Sequence, residues 1–125
     1  MFLVPDSIES LMRANLLDVF NERDEAKRRA AIDRTYAEDV RWADAEGVTT
    51  GRADLEAKCV QLQSTLSDLQ FVEADSVRRL PGFGYLAWHL VNPADGQPVM
   101  SGFDTALVKD GVISDLWTVL TPPQQ

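Results

Sequence analysis

Asp44 and Asp104 are the two residues whose types and positions in this sequence suggest acid–base chemistry. Asp44 closes a short extended run, Val40-Arg41-Trp42-Ala43-Asp44, in which Val40, Trp42 and Asp44 share one side by the two-residue period. A carboxylate at the mouth of an apolar cavity has a raised pKa and can move a proton. The same residue, just before Ala45-Glu46-Gly47, also suits a plain turn cap. Asp104 lies inside an apolar stretch of strand type, where Asp is disfavoured. It either lines a pocket or pairs with an arginine such as Arg41. Met100, Gly102, Asp104 and Ala106 share a face opposite Phe103 and Leu107, and Gly102 is expected to leave open room beside the acid.

The other reactive side chains read as structural. Leu86, Trp88 and Leu90 alternate with Tyr85, Ala87, His89 and Val91, and the first set is the more apolar. The sole histidine, His89, is therefore expected on the outer face, at a surface or an interface. Cys59 lies on the apolar stripe of a helix and reads as a buried small hydrophobe rather than a nucleophile. Trp42 and Trp88 are assigned to a cavity and Trp117 to the outside of a sheet. Gly82-Phe83-Gly84 is not followed by a helix, so it is no phosphate cradle.

These residues need elements to hold them. Asp6 with Glu9 resembles a capping box, and Ile8, Leu11, Met12, Leu16, Val19 and Phe20 recur at helical spacing, predicting a helix over Ser7–Asn21. Asp24 caps a second helix to about Ala37, with Arg28, Arg29, Asp33 and Arg34 on a solvated face. Val48-Thr49-Thr50 reads as a short return strand. A third helix is predicted over Arg52–Leu66, with Leu55, Cys59, Leu62 and Leu66 on one face. Leu69–Leu80 reads as one long strand with a bulge near Glu73-Ala74-Asp75. Gly84–Leu120 reads as a three-stranded meander, its last turn marked by Asp110-Gly111, where positive φ is needed. Helices first and strands later give the α+β class in a single domain spanning 1–125.

The order of elements, together with several local sequences, resembles the nuclear transport factor two-like superfamily, in its SnoaL-like and ketosteroid-isomerase-like branches. The matching pieces are Asn21-Glu22-Arg23-Asp24, Tyr36-Ala37-Glu38-Asp39-Val40, Trp42 through Gly47, Gly51, Gly102-Phe103-Asp104 and Lys109 through Ile113. The resemblance implies a cone: a strongly curved mixed or antiparallel sheet wrapped around three helices, with an apolar cavity. It sets Asp44 where the isomerase-like branch carries its general base. It sets Asp104 where that branch carries a carboxylic acid kept neutral to donate to an oxyanion. Leu16 stands where that branch has an oxyanion-binding Tyr, so steroid isomerisation itself is not expected.

The catalytic pair expected on this reading is Asp44 and Asp104. The substrate-binding walls are Leu16, Trp42, Cys59, Trp88, Met100, Leu116 and Leu120. The ligand is a small apolar or carbonyl-bearing molecule. If the protein is an enzyme, its chemistry is proton transfer of isomerase, cyclase or dehydratase type without a cofactor. The alternative is a non-catalytic dimeric ligand-binding or interaction module, in which the cavity binds a ligand or is merely a packing remnant. Phe103, Thr105, Leu107, Trp117 and Val119 form an apolar outer face on which a homodimer is expected.

Composition narrows the partners. With a formal net charge of -8, the 125-residue chain lacks the basic footprint that nucleic acid or an anionic membrane surface would need. Hydrophobic residues at 45% and charged residues at 26% fit an ordinary globular domain with a real core. One Cys and one His are too few for a zinc site, and no metal is expected. The single Cys excludes an internal disulfide and suits the cytoplasm, and the opening residues lack the pattern of a signal peptide.

Overall fold

Among the described residues, seven strands form one strongly curved mixed sheet, and three helices fill its concave side. The structure, a computed structural model, describes residues 7–121. Helix α1 (Ile8–Arg13) continues as a π-helical segment over Ala14–Phe20, followed by α2 (Glu25–Thr35). Strands β1 (Tyr36–Asp44) and β2 (Gly47–Thr50) form a hairpin ahead of α3 (Arg52–Leu66). Strands β3 (Gln70–Glu73), β4 (Arg78–Leu80), β5 (Phe83–Val91), β6 (Pro98–Lys109) and β7 (Val112–Thr121) complete the sheet. The order is β2-β1-β7-β6-β5-β3, with β4 also pairing β5. All pairings are antiparallel except β1 with β7. This parallel contact carries the chain's first strand beside its last, bringing Trp42 level with Leu116.

Local chemistry explains most element ends. The expected Asp6 cap lies outside the described residues, and Ser7 is the N-cap, its Oγ accepting from the Ser10 amide at 3.1 Å. Asp24 caps α2 by accepting from the Lys27 amide at 2.9 Å. Asp110 and Gly111 both take positive φ, 53° and 79°, as a two-residue turn between twisted strands requires.

Four expectations change. The first helix is not uniformly α-helical: its second half widens, and the Asn21 amide reaches back five residues to the Leu16 carbonyl at 3.1 Å. Helix α2 ends at Thr35 rather than Ala37, because Tyr36 is already extended at φ -116° and ψ 151°. The stretch Leu69–Leu80 is two short strands, not one bulged strand; Ala74–Val77 leaves the ladder while both pieces pair with β5. Arg28 is not on a solvated face. It is 5% exposed, and it donates to Glu56 Oε2 at 3.3 Å, the Glu22 carbonyl at 3.1 Å and Gln63 Oε1 at 3.4 Å. Burial of the guanidinium is tolerable because its donors are met by a carboxylate, a backbone carbonyl and a side-chain amide oxygen.

The core is continuous between helices and sheet. It includes Leu11, Met12, Leu16, Val19, Ile32, Tyr36, Val40, Leu55, Cys59, Leu86, Leu90, Ile113 and Leu116. Gln63 of α3 points into it and donates to the carbonyls of Val19, Phe20 and Glu22, satisfying the open end of the π-helical segment. Among the described residues, no helix is long and apolar enough to cross a membrane.

Candidate functional site

A cavity of about 330 Å³ opens between the π-helical segment, α3 and the inner faces of β1, β5, β6 and β7. Its walls include Leu16, Phe20, Trp42, Leu62, Leu66, Phe71, Trp88, Leu90, Met100, Thr118 and Leu120. Asp104 and Asp44 both line it, the latter with Ala45 and Glu46 of the β1–β2 turn. Leu16, Trp42, Trp88, Met100 and Leu120, expected as walls from the sequence, all line this cavity.

Two expected wall residues do not. Cys59 and Leu116 are fully buried in the core and are absent from the lining. Both lie on the inward face, as alternation and helical spacing predict, but inward parity carries no information on depth. The Cys59 Sγ packs 3.6 Å from the Val19 carbonyl, and burial pushes its thiol up to about 11.

Asp104 is the centre of a buried polar network. It is 3% exposed and sits mid-strand in β6, facing inward with Gly102 and Ala106. Oδ2 accepts from Asn15 Nδ2 at 2.8 Å. Oδ1 accepts from Thr118 Oγ1 at 2.9 Å and from Trp88 Nε1 at 3.2 Å. Each branch extends one step outward: the Tyr36 hydroxyl donates to Asn15 Oδ1, and Trp42 Nε1 donates to Thr118 Oγ1 at 3.0 Å. Every donor points toward the one carboxylate, which has about four lone-pair sites and keeps one free on Oδ2. Burial pushes the Asp104 carboxyl up to about 6, against the pull of the bonds from Thr118, Trp88 and Asn15. This arrangement differs from the neutral donor that the resemblance implies. Three donors, from Asn15, Trp88 and Thr118, converge on the acid, the pattern of an acceptor rather than of a donor. No arginine contacts it, and Arg41 is exposed.

Asp44 has a different environment. Its Oδ2 accepts from Lys58 Nζ at 2.5 Å, and its Oδ1 accepts from the Glu46 amide at 2.9 Å. The turn-capping role is therefore present, with an added ion pair at the cavity rim. Lys58 also lies 4.8 Å from the centroid of the Trp42 ring and 3.4 Å from Glu46 Oε1. Both carboxylates face one cavity, but only Asp104 is without a cationic partner.

Gly102 does not open free space beside Asp104 as expected. A Cβ there would stand 2.6 Å from the Trp88 ring and 2.5 Å from the Val119 carbonyl, so the indole already occupies that room. His89 lies on the outer face of β5, its Nδ1 2.6 Å from Ser101 Oγ. Sequence reasoning missed Asn15, Tyr36 and Thr118. Asn15 carried a readable signal: it sits four residues after Leu11 and four before Val19, on the apolar stripe of the first helix.

This combination of a curved sheet and three helices has counterparts among solved structures. The chain has the nuclear transport factor two-like fold. A candidate isomerase of the SnoaL-like family from Agrobacterium tumefaciens superposes with a TM-score of 0.83 at 24% identity, over 90% of this chain and 96% of that one. A candidate SnoaL-like polyketide cyclase from Jannaschia sp. CCS1 gives 0.73 at 14% identity, over 95% and 91%. A candidate ketosteroid isomerase from Kribbella flavida gives 0.70 at 20% identity, over 94% and 80%. No protein-family model and no curated protein matches the sequence. At these identities the nuclear transport factor two-like likeness is one of fold, and the fold hosts many functions.

Proposed function

We propose that the protein binds a small, largely apolar, carbonyl-bearing molecule in this cavity and moves a proton with Asp104, in isomerase- or cyclase-type chemistry without a cofactor. The observation that carries this reading is a buried carboxylate, raised to about 6, in an otherwise largely apolar cavity of about 330 Å³. A base poised near the working pH is what proton abstraction requires. Further support comes from the SnoaL-like and isomerase-like neighbours. The proton carrier is Asp104 rather than Asp44, because Asp44 is held in an ion pair by the Lys58 ammonium and Asp104 has no such partner.

In the proposed step a C–H bond α to the carbonyl breaks and its proton passes to the free lone pair of Asp104 Oδ2. The electron pair moves onto the carbonyl oxygen as an enolate. In an unsaturated ketone, return of the proton to a conjugated carbon completes an isomerisation; alternatively, attack of the enolate carbon on a second carbonyl forms a ring, and the proton passes from Asp104 to the new alkoxide. Leu16 offers that oxygen no hydrogen bond, so turnover is expected to be slow or confined to substrates more acidic than a steroid ketone.

The test is solvent-deuterium exchange into a cyclic ketone and a cyclic 1,3-diketone, followed by NMR, alongside carboxyl titration of Asp104. Exchange should follow ionisation near pH 6 and vanish in Asp104→Asn but persist in Asp44→Asn. An Asp104 that titrates like a free acid, with no exchange above background, would leave the non-catalytic binding module in its place. One observation favours that second reading: all three donors around Asp104 are already satisfied, as in a structural network.

A further inference from the structure

We infer that the ligand of this cavity is an organic cation, an apolar body carrying a protonated or quaternary amine. The inference rests on the cavity being the binding site, and it does not depend on proton transfer.

Four aromatic rings and one carboxylate close a collar around the cavity. Trp42 meets Phe20 edge to face with centroids 5.1 Å apart, Phe20 meets Phe71 at 6.4 Å, and Phe71 meets Trp88 at 5.1 Å. The circuit is completed by polar bonds, Trp88 to Asp104, Asp104 to Thr118, and Thr118 to Trp42. All six residues line the cavity. Both indole N–H groups are spent on the Asp104–Thr118 pair. The rings therefore present π faces and carbon edges to a ligand, and no hydrogen-bond donor.

The charge is one-sided. Among the described residues, the ionisable side chains in the lining are Asp44, Glu46 and Asp104, with no Lys, Arg or His. An anionic ligand would meet three carboxylates and one ammonium, that of Lys58, which is already held by Asp44 and Glu46. A neutral hydroxyl would gain one hydrogen bond. A cation would gain both the carboxylate field and the negative faces of the rings, a pairing that favours ammonium groups. The protein already makes this contact once with its own side chain. Lys58 Nζ lies 4.8 Å from the Trp42 centroid while bonding Asp44 at 2.5 Å and Glu46 at 3.4 Å. That one ammonium balances part of the rim and leaves Asp104 without a cationic partner.

Three probes share one apolar body: phenylbutylamine, phenylbutanol and phenylbutyrate. Their binding to the full chain at pH 7 is measured by tryptophan fluorescence and calorimetry. The amine should bind at least about tenfold tighter than the alcohol, and the carboxylate most weakly, with added salt weakening only the amine. In Asp104→Asn the preference for the amine over the alcohol should collapse. Glu46→Gln, at an exposed rim position, should reduce it by about twofold without touching the buried network. An alcohol that binds as well as the amine, or a carboxylate that binds best, overturns the inference and leaves the cavity as a binding site. Binding of none of the three at millimolar concentration overturns both.

Discussion

Asp104 is the residue on which the proposals turn, and its burial has a thermodynamic signature. Its carboxyl titrates near 6 in the folded chain, against an ordinary value of 3.8. The native state therefore holds a proton more tightly than the unfolded chain does. Its contribution to stability is complete below pH 3.8 and is lost as the pH rises through about 6. A shift of about two units corresponds to roughly 3 kcal/mol at ~1.4 kcal/mol per unit. Urea unfolding should show the wild-type stability, relative to Asp104→Asn, declining by that order between pH 4 and pH 7. A difference that is flat with pH would mean the carboxyl is not desolvated. Tyr36→Phe extends the same measurement. The Tyr36 hydroxyl holds the Asn15 amide with its NH2 toward Asp104. Without the hydroxyl the amide is free to turn, the ionised acid loses a donor, and the decline should reach to higher pH.

At the scale of elements, the site depends on how closely β5, β6 and β7 approach one another. Gly102 is the tight point, since a methyl group there meets both Val119 and the Trp88 ring. Gly102→Ala should cost about 1–3 kcal/mol by overpacking, and should move the Trp88 N–H off Asp104. Unfolding curves and the tryptophan emission spectrum report the two effects separately; an unchanged spectrum with unchanged stability would refute the contact. Elements defined by local signals were legible in the sequence. Helix α3 occupies Arg52–Leu66 as predicted, Asp24 caps α2, and Asp110-Gly111 makes the last turn. What was not legible depends on partners far along the chain. The π-helical segment ends on carbonyls satisfied by Gln63, more than 40 residues later. Arg28 looked solvent-facing in its own helix and is buried because Glu56, Glu22 and Gln63 converge on it. In the site itself, an acid in mid-strand was visible at Asp104, as were both tryptophans. The bond network was not, because the partners of Asn15 and Thr118 are set only once the helix, β6 and β7 meet.

At the scale of the whole molecule, the outer face of the sheet remains to be covered. Leu107, Trp117 and Val119 are 40%, 39% and 43% exposed, and on the same face the Phe103 and Tyr85 rings meet at a tilt of 33° with centroids 5.2 Å apart. Met100 and Leu120, at 43% and 53%, sit where this face meets the rim of the cavity. We propose that two copies pair through this face about a two-fold axis, the common arrangement for a self-complementary patch. Pairing would remove the apolar surface from water and cover the rim formed by Met100 and Leu120. A net charge of -8 on each chain opposes the association, so salt should strengthen it by screening. Light scattering at micromolar concentration should give twice the 13.9 kDa chain mass, and the melting temperature should rise with protein concentration. Trp117→Lys places a charge in the middle of the face on an outward-pointing side chain. It should yield a monomer with unchanged circular dichroism and a cavity more open at Met100 and Leu120. A wild-type chain that scatters as a monomer at these concentrations, with or without salt, rules the dimer out and leaves the apolar face exposed in the free protein.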